Sequence, residues 1–257
     1  LGLLYWTLHN GGFVLTQMAH VIYGVLIAIF LFQAYKAWTV NAPHIRAGIP
    51  EKDKYSFRQV AILDVAYFVT FGSELAVVSM LPKFFQETFT MTPQAAGLVA
   101  ASFAFMNLFA RPMGGFLSDR LGSRRRTLSF LLAGLAVGYW LMSQLNGTWP
   151  IPLAILVTMT CSFFVQAGEG AVFSIVPLVK KRVTGQVAGM VGAYGNVGAV
   201  CFLTVFSLEG VDGSTFFSVI GGCAIFCLIV SLFLKEPEGS FADAHGDDEP
   251  APAVDAA

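Results

Sequence analysis

The chain has 257 residues, of which 56% are hydrophobic and 12% are charged, and its mean hydropathy is +0.68. A soluble domain carries about 25% charged residues, so this composition excludes an ordinary water-soluble fold and predicts an integral membrane protein. The formal net charge of −1 identifies no class of partner, because the two signs are segregated along the chain, and we expect no nucleic-acid partner.

Seven apolar stretches are long enough to cross a bilayer. Crossing about 30 Å of hydrocarbon takes roughly 20 helical residues, and only helices or closed barrels satisfy their backbone groups in lipid. These stretches lack period-2 alternation, so the predicted fold class is an all-α polytopic membrane protein. The predicted spans are residues 13–38, 60–81, 95–117, 127–145, 151–179, 186–208 and 215–234.

Polar segments lie before, between and after these spans. Residues 1–12 form a loop, residues 39–59 contain the long internal polar segment and are predicted to be a linker, and residues 236–257 form an acidic tail rich in Ala and Pro. Its composition predicts a disordered, solvated tail. The chain starts at Leu1 without a charged region and cleavage site, so we expect no signal peptide and a fragment that begins partway through a longer protein.

Lysines and arginines predict the orientation in the membrane. Except for Lys83 and Arg111, all of them lie in alternate loops or at the helix ends that face those loops. By the positive-inside rule the linker, the loops at 120–126 and 180–182 and the tail are cytoplasmic. A missed helix would destroy this alternation, so the pattern also supports seven spans.

The loop after the third span reads Gly115-Phe-Leu-Ser-Asp119-Arg120-Leu-Gly122-Ser-Arg-Arg. Gly115 would let helices approach closely, Asp119 can pair with nearby arginines or face the start of the next helix, and Gly122 permits the chain reversal. The alternative is an ordinary basic loop. In its place two helices into a set of six, the sequence resembles the cytoplasmic loop motif of the major facilitator superfamily.

This resemblance implies how the chain is divided. Residues 1–38 would hold an extracytoplasmic loop and the last helix of a first six-helix bundle, and residues 39–59 a cytoplasmic linker. Residues 60–235 would form the complete second bundle, which carries transport, and residues 236–257 the disordered cytoplasmic tail.

Arg111 lies inside the third apolar stretch. A cation in hydrocarbon costs about 2.5–3.5 kcal/mol, so it needs a partner, a wet cavity or a route to the surface. Asn107, Arg111 and Gly115 are four residues apart and share one helix face, which predicts a polar stripe that faces protein or water. The alternative is an arginine that extends to the cytoplasmic surface, because Asp119 lies only about 12 Å further along the helix.

The sixth span is rich in glycine. Each glycine costs close to 1 kcal/mol relative to alanine in an exposed helix, so the run predicts very close approach by another helix or a ligand. Asn196 lies on the same side as Gly192, whereas Tyr194 points away. Tight packing alone is one interpretation, and a buried asparagine in the stripe favours a binding role as well. The glycines are Gly185, Gly189, Gly192, Gly195 and Gly198.

Two spans carry carboxylates at membrane depth, Glu74 and Glu169, and such groups are functional hypotheses by default. Glu74 shares a helix face with Asp64 and Tyr67, and Glu169 lies beside Gln166. A structural pair or hydrogen bond within the bundle is the alternative role.

Three segments, residues 67–75, 96–119 and 189–199, resemble the nitrate/nitrite porter family of the major facilitator superfamily. Residues 189–199 resemble the second of its two glycine-rich signatures, and the Asn-x-x-Ala-Arg-x-x-Gly-Gly core at 107–115 resembles the helix that carries its second substrate arginine. The resemblance covers about residues 13–235. It implies that Arg111 binds the anion, with Tyr67 and Asn196 near it, and that the other arginine and first signature lie in a missing N-terminal half.

We therefore expect secondary active transport of nitrate and/or nitrite by alternating access, in an inner or plasma membrane. The expected partners are the anion, the lipid bilayer and the missing half of a twelve-helix transporter. A guanidinium binds a planar anion by paired hydrogen bonds. Asn107 completes the predicted polar face, and Gly192 and Gly195 would let the backbone close over so small an ion. Either glutamate could carry a proton for symport, or the protein could exchange nitrate for nitrite without one.

Other functions remain as alternatives. The nearest is a major facilitator for another small organic anion or a drug, and a sensor that binds without transport is a third option. A membrane enzyme has little support, because no metal cluster, activated nucleophile or cofactor motif appears. Accordingly we expect no enzymatic activity, no cofactor and no metal; the four cysteines, all in apolar runs, are predicted to be packing residues.

Overall fold

The computed structural model describes residues 16–48 and 50–236, and every regular element within them is helical. The loop predicted at residues 1–12 and the tail beyond Glu236 lie outside the described residues. The α-helices are α1 (Thr16–Ala47), α2 (Phe57–Phe89), α3 (Pro93–Phe105), α4 (Asn107–Arg120), α5 (Arg124–Ser143), α6 (Ile151–Val179), α7 (Thr184–Phe206) and α8 (Gly213–Ser231). Short 3-10 helices occupy Glu51–Asp53 and Lys181–Val183.

Seven helical stretches of the described chain are long and apolar enough to cross a membrane, as predicted. The largest differences from the predicted boundaries are three, and one of them is that α2 continues to Phe89 instead of ending at residue 81. α1 continues to Ala47, so much of the predicted linker is helical, and the third span consists of two helices, α3 and α4. The chain is an integral, multi-pass membrane protein.

The chain divides into two compact units, residues 1–54 and residues 55–257. In the first unit, α1 exposes large apolar side chains such as Phe30 and Trp38 along its length. A helix that is apolar all round and has no covered face within its own unit must be covered by lipid or by other protein.

The second unit is a bundle of six spans with α2 at its centre. α2 packs against α3, α6, α7 and α8, while α6 also packs against α4 and α5. In the apolar stretch of 18 residues that defines this span, 72% of the residues are buried inside the bundle. Side chains that point away from the bundle are also apolar, for example Phe116, Trp140 and Phe226, as lipid-facing positions require.

Local sequence explains where several helices begin. Thr92 accepts a hydrogen bond from the Ala95 amide and is followed by proline, which fits the first helical position of α3. Ser123 and Asp212 cap α5 and α8 in the same way. Gly122 has φ of +65°, the left-handed conformation that makes the reversal between α4 and α5 cheap for glycine.

Glycines set the close contacts between helices, although not all at the predicted positions. A Cβ on Gly72 would lie 2.7 Å from the Gly198 carbonyl carbon, so α2 and α7 touch backbone to backbone. At Gly115 α4 does come close to α6, because a Cβ on Gly170 would lie 3.2 Å from the Gly115 amide nitrogen. A Cβ on Gly115 itself would lie 3.9 Å from the Gly170 carbonyl oxygen, an ordinary contact, whereas one on the adjacent Gly114 would clash with the Ala167 carbonyl of α6. On α7, Gly195 and Gly198 make such contacts within the described chain. A Cβ on any of the other three glycines would meet nothing within 4 Å, and close approach there stays a prediction: Gly185, Gly189 and Gly192.

Candidate functional site

The hydrogen-bond ladder of the third span is interrupted at Met106, within the stretch predicted as one helix over residues 95–117. Met106 keeps helical backbone angles (φ −56°, ψ −23°) and accepts from the Ala110 amide at 2.8 Å, so residues 93–120 still form one span, and the break is local. α3 ends at Phe105 and α4 begins at Asn107, with Met106 in a turn. In a continuous helix the Phe103 carbonyl would accept from the Asn107 amide. Here it accepts from the side chains of Ser162 at 2.7 Å and Gln166 at 2.9 Å. These α6 side chains make the break tolerable, because irregular backbone at membrane depth must find partners in protein.

Arg111 lies one turn beyond this break and is held by two carboxylates. Its Nη2 is in direct contact with Glu169 Oε2 and lies 3.4 Å from Glu74 Oε2. Its side chain is 38% exposed, against 8% for Glu74 and 0% for Glu169. The guanidinium is therefore paired within the bundle, in contrast to the alternative in which it extends to the cytoplasmic surface.

Backbone packing places Glu169 beside Arg111. Gly170, the next residue on α6, packs against the Arg111 carbonyl oxygen. A side chain at position 170 would separate α4 from α6, so glycine there is what lets the neighbouring carboxylate reach the guanidinium. The pattern of Gly170 beside Glu169 was visible in the sequence, but its partner on α4 was not.

Glu74 receives hydrogen bonds from two neighbouring helices. Its Oε1 accepts from Asn107 Nδ2 at 2.7 Å and from Gln166 Nε2 at 3.4 Å. Asn107, Gln166 and Arg111 all donate hydrogen bonds to Glu74. This arrangement matches an ionised carboxylate, because an ionised carboxylate accepts hydrogen bonds and has no proton to donate. Glu74 thus ties α2 to α4 and α6 at the level of the break.

The cluster has more negative than positive charge. With Arg111, Glu74 and Glu169 all ionised, one guanidinium faces two carboxylates. The sequence indicated each of these residues separately as functional, yet their convergence on one guanidinium depends on the packing of α2, α4 and α6, which no local pattern specifies.

An aromatic stack borders the cluster. The Phe71 ring centre lies 5.9 Å from the Arg111 guanidinium carbon, within the range of a cation–π contact. Tyr67 stacks on Phe71 with ring centres 5.0 Å apart and meets Phe173 edge to face at 4.8 Å. Gly195 of α7 packs directly on this stack, since a Cβ there would lie 2.6 Å from Tyr67 Cδ1. Tyr67 is close enough to Arg111 and Glu74 to interact with their charges.

Asn196 differs from the prediction. It was expected to be buried in the glycine stripe, but its side chain is exposed and its amide donates to the Gly192 carbonyl at 2.9 Å, one turn earlier on α7. Gly192 is half-buried and has open space where a side chain would be. The reason is that α7 uses its Gly195 and Gly198 side to pack on α2, which leaves Asn196 on another side.

Arg111 and Asn107 open onto a pocket of about 700 Å³ at the break in the third span. Apart from these two residues its lining is apolar: Ala104, Phe105, Leu108 and Pro112. The pocket is a wide depression that opens at the surface of the described bundle rather than inside its core.

The predicted loop motif forms an ionic network at the far end of α4. Asp119 pairs with Arg124 at 2.7 Å, as expected for a carboxylate near these arginines. Glu236 accepts from the amides of Arg124 at 3.2 Å and Arg125 at 3.0 Å. A carboxylate at a helix N-terminus satisfies free amides and complements the helix dipole. Arg120 lies over the Phe116 ring, 5.2 Å from its centre.

The described residues of the second unit thus form an all-helical membrane bundle with a charged cluster inside one of its spans. The profile of the Major Facilitator Superfamily matches residues 63–256, and the chain belongs to this superfamily. It is similar in fold to the proton:xylose symporter XylE bound to 6-bromo-6-deoxy-D-glucose, with a TM-score of 0.58 and 19% identity, over 74% of this chain and 47% of that one.

The curated relatives extend the match. The chain is 49% identical to the nitrate/nitrite transporter NrtP of Picosynechococcus sp., over 93% of this chain and 47% of the relative. It is 46% identical to NrtP of Nostoc punctiforme, over 95% and 50% respectively, and 28% identical to the nitrite extrusion protein of Bacillus subtilis, over 84% and 55%. The chain thus spans about half the length of the curated relatives it matches. The predicted superfamily and the resemblance to nitrate/nitrite porters are confirmed.

Proposed function

We propose that this chain is the C-terminal half of a secondary transporter for nitrate and/or nitrite, in which Arg111 binds the anion. The observation that carries the proposal is a guanidinium at an interrupted span, open to a pocket, in a chain 49% identical to a nitrate/nitrite transporter. Alternating access would come from rocking of this bundle against a second, N-terminal one.

Arg111 has donors available for an anion. Its buried Nε has no hydrogen-bond partner among the residues that the structure describes. An unsatisfied buried donor costs about 1–3 kcal/mol, so a ligand oxygen at this edge of the guanidinium would be favourable. Nitrate is planar and offers two oxygens to one edge of the fork, an arrangement that an ammonium cannot reproduce. Asn107 on the same pocket wall supplies an amide donor, and Tyr67 a hydroxyl.

The other half of the transporter would complete the site. Asn196 and Gly192 lie on a side of α7 that the described bundle leaves open. We propose that they meet the substrate or the N-terminal half there, and that the helices of residues 60–235 form one wall of the transport path. In this proposal the linker, the 120–126 and 180–182 loops and the tail are cytoplasmic. We also propose that the protein lies in an inner or plasma membrane and that it has no enzymatic activity.

The test is nitrate uptake by the full-length transporter in proteoliposomes, with Arg111→Lys compared against wild type. Lysine keeps the charge but removes the planar fork, and loss of one charge-assisted hydrogen bond of about 1.5–3 kcal/mol predicts at least a tenfold rise in KM for nitrate. Arg120→Lys is the matched control, because Arg120 is exposed at the end of α4. Equal uptake by both variants, at normal insertion, would remove Arg111 from the anion site.

Substrate identity needs its own measurement. Unlabelled nitrate and nitrite should compete with labelled nitrate uptake far better than small carboxylates or hydrophobic cations at equal concentration. Stronger competition by an organic anion would assign the site to the alternative substrate class.

A further inference from the structure

We infer that Glu169, rather than Glu74, carries the coupling proton: it gives up Arg111 to the entering anion and takes a proton in exchange. This inference rests on the proposed function, because it needs an anion that binds Arg111. It goes further by assigning different roles to two carboxylates that the sequence leaves equivalent.

The two carboxylates differ in what would hold them once Arg111 is occupied. Glu74 would keep the amide donors of Asn107 at 2.7 Å and Gln166 at 3.4 Å. Glu169 is paired with Arg111, and its two oxygens have no further hydrogen-bond partner among the described residues. A planar anion that places two oxygens on the Nε edge of the guanidinium uses Nε and Nη2 together, and Nη2 is the nitrogen that contacts Glu169. Such an anion would displace Glu169 from Arg111, while Glu74 would retain its two amide donors.

Burial turns this difference into a proton requirement. The Glu169 side chain is fully buried, with 0% exposed, so water cannot replace the lost guanidinium. An ionised carboxylate in such a place, without a counter-charge or a donor, is unstable and becomes neutral by binding a proton. Glu74, with its two amide donors, can remain charged.

Charged and phenolic groups reach α6 from three neighbouring helices. Among the described residues, Arg124 of α5 donates to the Ser174 carbonyl of α6 at 3.4 Å and pairs with Asp119 at 2.7 Å. α4 supplies Arg111, and α2 supplies the negatively charged Glu74 and the phenol of Tyr67. α5 supplies the buried phenol of Tyr139, which lies close enough to Glu74 to interact with its charge. The helices α3, α7 and α8 contain no Asp, Glu, Lys, Arg or His. With both glutamates ionised, the cluster of Arg111, Glu74 and Glu169 has one excess negative charge. An entering monovalent anion would raise that excess to two, and one bound proton would bring it back to one.

The step balances as a simple exchange. The ion pair between Arg111 and Glu169 breaks, and an ion pair between Arg111 and the anion forms. As Arg111 leaves the carboxylate, one O–H bond forms on Glu169; its proton is delivered along the path that Arg111 opens from the water on the side to which the site is open. On the other side the anion leaves, the proton returns to water, and Arg111 pairs with Glu169 again.

The experiment compares Glu169→Gln with Glu74→Gln in the full-length transporter in proteoliposomes, in two assays. One is labelled nitrate uptake with and without an inward proton gradient, and the other is exchange of external labelled nitrate against internal nitrate at equal pH. Glu87→Gln serves as the control, because Glu87 is largely exposed and pairs only with Lys83 among the described residues.

Glu169→Gln should lose the stimulation of uptake by the proton gradient, so that the ratio of the two uptake rates falls to about one, while exchange stays measurable. Glu74→Gln should be slower in both assays, because Asn107 and Arg111 lose an anchor, but its uptake should still respond to the gradient. The opposite assignment, with stimulation lost only in Glu74→Gln, would overturn the inference.

Two further outcomes separate the inference from the proposed function. Wild-type protein that exchanges nitrate but ignores the gradient would overturn the inference alone. Wild-type protein with neither uptake nor exchange of nitrate would overturn the proposed function as well.

A second measurement avoids dependence on a variant that fails to insert. Dicyclohexylcarbodiimide reacts with protonated carboxyl groups in apolar surroundings, and labelled positions in the wild-type protein can be found by peptide mass spectrometry. Saturating nitrate should increase labelling at Glu169 several-fold and leave Glu74 unchanged. Increased labelling at Glu74 instead would contradict the assignment.

Discussion

Gly195 connects the glycine-rich helix to the proposed anion site, and Gly195→Ala tests that connection. The new Cβ would lie 2.6 Å from Tyr67 Cδ1 and 2.8 Å from Phe71 Cδ1. These rings cannot move independently, because they stack on each other and Tyr67 also meets Phe173. The displacement is therefore transmitted through Phe71, whose ring lies 5.9 Å from the Arg111 guanidinium carbon.

The size of the effect follows from two opposing contributions. Overpacking of this kind costs about 1–3 kcal/mol, and replacing glycine by alanine in a helix returns about 0.4–1 kcal/mol. The net cost of about 1–2 kcal/mol corresponds to a roughly 5- to 30-fold change in an equilibrium constant. For a domain of this size, each 1 kcal/mol lowers Tm by about 2–4 °C.

The assay is thermal unfolding of the detergent-solubilised full-length protein, followed by the KM for nitrate in proteoliposomes. Gly222→Ala is the matched control, because Gly222 lies within α8 and a Cβ there would meet nothing within 4 Å. We expect Gly195→Ala to lower Tm and raise KM, and Gly222→Ala to leave both unchanged or to raise Tm slightly. If the two variants behaved alike, the packing of α7 on the Tyr67 stack would not matter for the site.

Two other predictions concern stability. Gln166→Leu removes the amide that bonds the Phe103 carbonyl and Glu74; it should cost about 1–3 kcal/mol, seen as a lower Tm than for wild type. The Thr215 hydrogen bonds lower the pKa of Asp212, which caps α8. This carboxylate therefore stabilises the folded state above its unfolded pKa, and the contribution is lost as pH falls through the folded value. Asp212→Asn should flatten that acidic part of the Tm–pH curve; an unchanged curve would show that the cap does not contribute.

Much of the fold was predictable because lipid restricts the backbone to a few solutions. Apolar length alone gave the correct number of spans, since hydrocarbon allows only helices or closed barrels. The break at Met106 was not predictable from the same signal. Residues 95–117 are apolar enough for one helix, and the groups that stabilise the break, Ser162 and Gln166, lie some 60 residues further along the chain.

The site was predicted in its members but not in its arrangement. Helical spacing put Asn107 and Arg111 on one face and marked Glu74 and Glu169 as unusual, because charge in a span demands a function or a partner. Which carboxylate meets which cation depends on contacts between α2, α4 and α6. The exposed position of Asn196 depends on which side of α7 packs on α2, and its evenly distributed glycines do not reveal that side.

The charge of the cluster predicts a property of the other half of the transporter. With Glu74 and Glu169 both ionised, the cluster around Arg111 carries one uncompensated negative charge, and a buried net charge of this kind is costly. A cation from the N-terminal bundle would neutralise it, which is what the second arginine implied by the nitrate/nitrite porter resemblance would do. The complete site would then hold two positive and two negative charges when empty. It would return to neutrality with nitrate bound only if one proton enters as well, which we assign to Glu169.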